Sequence, residues 1–276
     1  MNNYVLVTLD SCRFDSVSSQ WSELENLPRI GTLQEAVSLA TWTQPAHLNF
    51  MTGRLPWAVS CLSETSLHTG GRGLHQDIGF WDRRLGCEAG SILDDGFRIE
   101  PRLRELGYRL DAVVSARPIG TGSHFAQLFD RHVFVGRHGD TLLRALEHLD
   151  FTAGPVFLVL NLCETHYPYF DGGYDERFSN RWVSGLAGQA RVEVGERLPR
   201  PVFSTDELQE LRLRQKRAVR YLDGLLPRLF ETLPENTFLT VTADHGECFG
   251  ESGQFGHGEV SDPVVLRVPL VEGMRP

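Results

Sequence analysis

At 276 residues the chain suits a single α/β domain, and its 41% hydrophobic content is enough to build a buried core. A formal net charge of −9 and a pI of about 5.6 exclude the broad basic face that nucleic-acid binding needs, but not a small anionic substrate held through a metal. The five cysteines (Cys12, Cys61, Cys87, Cys163 and Cys248) are scattered, odd in number and free of any CxxC spacing, which points to a reducing compartment rather than a disulfide framework.

YVLVTL (4–9) opens the chain as a buried strand and runs into Asp10. The opening MNNYVLVTLD has no basic leader region, and no apolar run reaches membrane-span length, so a soluble cytoplasmic protein with no membrane partner is expected. In TWTQPAHLNFMTGRLP (41–56), Thr43 stands just before Pro45, a good N-cap followed by a residue favoured in a first helical turn. A hydroxyl there faces open backbone N–H groups, which is an anion site. Residues 55–98 carry little pattern. IEPRLRELGY (99–108) has helical spacing, DAVVSA (111–116) reads as a strand, and TLLRALEHLDF (141–151) as a helix. PVFLVLNL (155–162) is a third strand and leads into Cys163-Glu164-Thr165-His166. Residues 171–203 form a second poorly patterned excursion. The stretch 204–233 predicts a long helix that opens with the capping-box pair Ser204 and Glu207, and Pro227 is expected to kink or divide it. TFLTVTA (237–243) is the last strand of this kind and ends in Asp244-His245-Gly246.

Non-alternating strands separated by helices predict an α/β three-layer sandwich with a mostly parallel, doubly wound sheet, folded as one domain over 1–276. In such a sheet the carboxyl ends of the strands share one edge, where ligands bind. Three of the strands deliver an acid there: Asp10, Glu164 and Asp244. Carboxylates so close repel unless a cation lies among them. With His166 and His245 in the set, zinc or manganese suits the site better than magnesium or calcium. A metal beside Thr43 would lower the pKa of its hydroxyl and make it a nucleophile.

The blocks LDSCRFD (9–15), TWTQPAHLNFMTG (41–53), ETHYPY (164–169), TADHGECFGESGQFGHG (242–258) and LRVPLV (266–271) occur in this order. Together they resemble the sulfatase-like branch of the alkaline phosphatase superfamily. The resemblance implies that Asp10, Asp244 and His245 hold the principal metal, with Thr43 completing its shell as the covalent nucleophile. His166, His257 and Glu164 match positions that hold a second metal or contact the phosphoryl and leaving-group oxygens, so one or two divalent ions are implied. Arg13 and Asp15 are expected to brace the first loop by pairing, and His47 to lie behind the ligands rather than among them.

Sulfatases of the superfamily carry Cys or Ser at the position of Thr43, followed by Pro-Ser-Arg, and convert it to formylglycine. Thr43 cannot be so converted, and His47 stands in place of the Arg. The expectation is therefore a metal-dependent hydrolase of phosphate esters (phosphodiester, phosphomonoester or phosphonate) acting on a small-molecule or peptide anionic ester. The alternatives are a phospho- or phosphoethanolamine-type transferase, a sulfate ester hydrolase, or a non-catalytic binding or maturation partner on the same scaffold. Glu247, Glu251 and Glu259 read as solvated loop acids, Cys12, Cys163 and Cys248 as small packing residues, and Asn49 more readily as structural than as a substrate contact. Arg54, Arg72 and Arg117 are unranked candidates to meet a substrate anion.

Overall fold

The computed structural model describes residues 1–52, 99–137, 139–152, 154–179, 203–258 and 262–276. Nine strands lie among them: β1 (Asn3–Leu9), β2 (Gln34–Val37), β3 (Arg109–Val114), β4 (Arg131–Phe134), β5 (Val156–Leu162), β6 (Thr237–Thr242), β7 (Cys248–Phe249), β8 (Phe255–Gly256) and β9 (Arg267–Met274). The α-helices among the described residues are α1 (Phe14–Ser18), α2 (Leu27–Ile30), α3 (Thr43–Thr52), α4 (Ile99–Glu105), α5 (Thr141–Leu146), α6 (Glu176–Ser179) and α7 (Thr205–Thr232). None is long and apolar enough to cross a membrane.

Seven strands make one sheet in the order β2-β9-β6-β1-β5-β3-β4. The run from β6 to β4 is parallel, and β9 pairs antiparallel with both β6 and β2. This is the expected mostly parallel α/β sandwich, and its centre was readable for a physical reason. Every residue of β5 is buried, as are nearly all of β1, so both faces must be apolar. The two faces still alternate. Val5, Val7, Leu9, Leu158, Leu160 and Leu162 pack with Val219, Leu222, Leu226 and Leu229 of α7. Leu6, Phe157 and Val159 turn the other way, onto Leu48 and Met51 of α3.

Helix α7 begins at the expected capping box: Glu207 N–H donates to Ser204 Oγ at 3.3 Å, and Ser204 N–H to Glu207 Oε2 at 2.8 Å. It was expected to break or kink at Pro227, but it is one helix through that residue. Proline lacks the N–H that would bond the carbonyl four residues back. That carbonyl belongs to Asp223, and it accepts Asn26 Nδ2 at 2.9 Å instead. The Asp223 carboxylate also accepts the backbone N–H groups of Glu25, Asn26 and Leu27, which caps α2. The poorly patterned stretch 55–98, most of 171–203, and with them Arg54 and Arg72, lie outside the described residues. Arg117 is exposed at the start of a short 3-10 turn, Arg117–Ile119.

Candidate metal centre and nucleophile

The carboxyl ends of β1 and β6 lie side by side, with Thr8 in register with Thr242. Each strand ends in a ligand-type residue. Asp10, Asp244 and His245 are all fully buried, and one donor atom from each lies within 4.8 Å of the others. Asp244 Oδ1 accepts the N–H groups of Ser11 and His245, both at 3.0 Å. Among the described residues, Asp244 Oδ2 has no hydrogen-bond partner. His245 donates Nδ1–H to the Gly246 carbonyl at 2.9 Å, which leaves the Nε2 lone pair facing the cluster, 3.4 Å from Asp244 Oδ2. The Asp-His-Gly run also has a packing reason. A Cβ on Gly246 would sit 2.6 Å from the Val264 carbonyl oxygen, so no larger residue fits behind the histidine.

Burial, reinforced by the charge of Asp10, pushes the Asp244 carboxyl well above the usual carboxylate range. Burial also raises Asp10, but the imidazoles of His166, His245, His257 and His47 outweigh it and hold Asp10 below that range. Burial and the neighbouring His257 push His245 well below the ordinary imidazole value, so its ring is neutral. An orphaned buried carboxylate oxygen, a second carboxylate and an imidazole lone pair are the donor set that a divalent cation satisfies.

Thr43 opens α3 with its Oγ1 3.4 Å from His245 Nε2. The loop that carries His257 is tied to the segment before α3: Gly258 N–H donates to the Thr41 carbonyl at 2.7 Å, and the Thr41 hydroxyl donates to the Gly258 carbonyl. The small β7–β8 hairpin turns this loop back over the site. The His257 ring lies 4.3 Å from the His245 ring and 5.3 Å from the His166 ring. His166 donates Nδ1–H to the Tyr167 carbonyl at 2.8 Å. Thr43, His245, His166 and His257 are therefore brought together with Asp10 and Asp244.

Glu164 is not. Its Oε1 accepts Leu142 N–H at 2.8 Å and its Oε2 accepts the Thr141 hydroxyl, so the carboxylate caps the start of α5. A glutamate at this strand end has the reach to turn onto the neighbouring helix, and both its oxygens are used there. Burial holds it above the usual range, partly offset by the Thr141 bond.

Arg13 braces the first loop as expected. It clasps Asp15 through Nε (2.8 Å) and Nη2 (2.7 Å), and Glu251 through Nη1 (2.6 Å). His47 is fully buried behind the cluster, with Nδ1 3.8 Å from Asp244 Oδ2. Burial drops its pKa to about 4, against the opposing effects of the Thr43 carbonyl and Asp10.

Four contributors escaped the sequence. Glu247, read as a solvated loop acid, is buried; it takes His257 Nδ1 on Oε1 at 2.7 Å and the Tyr169 hydroxyl on Oε2 at 2.6 Å. Burial lowers His257, but the Glu247 bond outweighs it and raises the pKa of the imidazole. Glu251, also read as solvated, is the partly buried partner of Arg13, and Glu259 lies outside the described residues. Gln215 of α7 is fully buried and bonds the carbonyls of Ser11 (2.8 Å) and Thr165 (3.1 Å), which joins the loops that follow β1 and β5. Ser11 holds a left-handed backbone (φ 62°) and donates its hydroxyl to Asp10 Oδ1 at 3.1 Å. The sequence signal for Glu247 was its place two residues beyond His245 on a tight turn.

Residues 137–271 match the Sulfatase family model, a span that contains His166, Asp244, His245 and His257. No curated protein matches the chain. Among solved structures, the chain is similar to the C-terminal periplasmic domain of EcEptC from Escherichia coli in complex with zinc (TM-score 0.56, 14% identity, covering 99% of this chain and 73% of that one). It is also similar to phosphonate monoester hydrolase of Agrobacterium radiobacter (0.57, 16%, 99% and 68%). A third is the C-terminal periplasmic domain of phosphoethanolamine transferase EptC from Campylobacter jejuni (0.52, 14%, 98% and 78%). The chain thus carries a sulfatase-like segment on the fold of the alkaline phosphatase superfamily. Of these neighbours, one was solved with zinc, one is named a phosphonate monoester hydrolase and one a phosphoethanolamine transferase.

Proposed function

We propose that this chain is a metal-dependent phosphoester hydrolase that works through a covalent Thr43 intermediate. The observation that carries the reading is the Thr43 hydroxyl at the start of α3, 3.4 Å from the Nε2 of His245 and beside the Asp10–Asp244 pair. A divalent cation held by Asp10, Asp244 and His245, zinc or manganese by the chemistry of the donors, would supply charge neutralisation and a lowered pKa for the Thr43 hydroxyl. The hydroxyl releases its proton to solvent, and Oγ1 attacks phosphorus in line as the bond from phosphorus to the ester oxygen breaks. N–H groups of the first turn of α3 favour the anionic phosphoryl oxygens. His257 is held toward its charged form by Glu247 and, with His166 beside it, serves the leaving oxygen. Water then cleaves the phosphothreonine and regenerates the hydroxyl.

The substrate class in this reading is a small-molecule or peptide anionic ester. Three buried free thiols, Cys12, Cys163 and Cys248, support residence in a reducing compartment such as the cytoplasm. The test is a set of nitrophenyl esters (phosphate monoester, diester, phosphonate and sulfate) with each divalent metal supplied. A phosphoester preference that collapses with chelator is expected. Thr43→Ala should lower kcat by roughly 10³-fold or more. Full activity in Thr43→Ala would sink the mechanism. Preference for the sulfate ester, or capture of the group by an added alcohol or amine in place of water, would favour the sulfate hydrolase or the transferase respectively.

A further inference from the structure

Behind the nucleophile runs a chain of buried hydrogen bonds. It starts at Asn161, the penultimate residue of β5. The Asn161 Oδ1 accepts the backbone N–H groups of Ser115 (3.2 Å) and Ala116 (2.9 Å), so its Nδ2 must face the other way. That nitrogen donates to Thr8 Oγ1 and to Asp10 Oδ2, both at 3.3 Å. The Thr8 hydroxyl lies 3.0 Å from His47 Nε2, and His47 Nδ1 lies 2.8 Å from the carbonyl of Thr43. A carbonyl can only accept, so Nδ1 carries the proton. The opposite tautomer would set a lone pair against both that carbonyl and Asp244 Oδ2, 3.8 Å away. Nε2 is then the acceptor and Thr8 the donor. Asn161, Thr8 and His47 are all fully buried, so water cannot replace any link. Phe50 and Phe125 hold the ring edge-on from two sides, with centroids at 5.5 Å.

We propose that Asn161 and Thr8, acting through His47, are positioning residues that hold Thr43 in register with Asp10. One amide group, Asn161 Nδ2, touches the carboxylate of Asp10 and, two bonds further along, determines where the helix bearing Thr43 sits. The effect on catalysis rests on the proposed function above; the proton order of the chain does not.

Two measurements test it, and they fail separately. Ring ¹⁵N–¹H spectra of the intact protein should show the His47 proton on Nδ1, with Nε2 unprotonated. A proton on Nε2 would overturn the proposal without any variant being made. Thr8→Val removes the donor to Nε2 at nearly constant volume. It should release the ring to a mixture of tautomers and lower kcat on the preferred nitrophenyl ester by roughly tenfold, with KM and zinc affinity by chelator competition unchanged. Thr8→Ser should restore both the single tautomer and the rate. A folded Thr8→Val protein with wild-type kcat would overturn the positioning role. Indifference of the rate to Thr43→Ala would instead refute the nucleophile, leaving the tautomer result standing.

Discussion

Two acids, Asp10 and Asp244, share one fully buried pocket, and only a cation or a proton can relieve their repulsion. Burial first, and the charge of Asp10 second, raise Asp244 well above the usual range. In the unfolded chain its carboxyl titrates at about 3.9. Between that pH and the raised folded value, the metal-free folded protein holds a proton that the unfolded chain has released. The contribution of Asp244 to stability therefore falls as pH rises through this window. Asp244→Asn keeps the oxygen that accepts from Ser11 and His245 and replaces the orphaned Oδ2 with a neutral donor 3.4 Å from His245 Nε2. Calorimetry in the presence of chelator should find Asp244→Asn more stable than the wild type by about 1–3 kcal/mol near neutral pH. The difference should shrink toward about pH 4. His257, also raised, loses stability in the same direction but is present in both proteins, so it cancels in the comparison. Parallel pH profiles for the two would show that the pair carries no such strain.

At the level of elements, several helices are capped by distant side chains that the sequence spells out poorly. The central strands β1, β3, β5 and β6 were legible because burial on both faces forces continuous apolar runs. β2 and β4 were not: they have four residues each and are half exposed. β9 was quoted only as a motif, since Pro269 interrupts its run, and the two-residue strands β7 and β8 carry no periodic signal. For the same reason His257 was found through family resemblance and its partner Glu247 was mistaken for a surface acid. Pro227 was read by its local rule, whereas the tertiary contact from Asn26 compensates the carbonyl it frees. Glu164 was read as a ligand by its place at a strand end, although both its oxygens cap α5. Glu164→Ala should therefore lower the unfolding free energy by about 2 kcal/mol, through loss of the bonds to Leu142 and Thr141, while zinc affinity changes less than about twofold. A large loss of metal binding with little change in the denaturation midpoint would return Glu164 to the ligand set. Asp223→Ala, which strips three backbone donors of their acceptor, should cost about 3 kcal/mol of unfolding free energy, measured by urea denaturation.

Across the whole molecule, the site joins parts of the chain that are distant in sequence. Asp10 lies near the start, Thr43 begins α3, and Asp244, His245 and His257 come from near the other end. β1 and β6 are neighbours in the sheet, so their ends meet only once the sheet has formed. The unfolded chain has no preformed version of this donor set, and binding energy there is folding energy. A cation that binds only the folded form stabilises it by RT ln(1 + [M]/Kd), about 2.7 kcal/mol at a hundredfold excess over Kd. For a chain of this size that corresponds to a rise in melting temperature of roughly 5 °C. Scanning calorimetry of chelator-stripped protein should show the rise with zinc or manganese and a smaller one with magnesium, because an imidazole is among the ligands. Asp10→Asn should lose most of the shift, since it removes one of the two charges that a cation neutralises. The two arms separate causes. A rise that persists undiminished in Asp10→Asn would place the stabilising ion elsewhere on this acidic protein, and no rise with any of the three metals would remove the metal from the proposed mechanism.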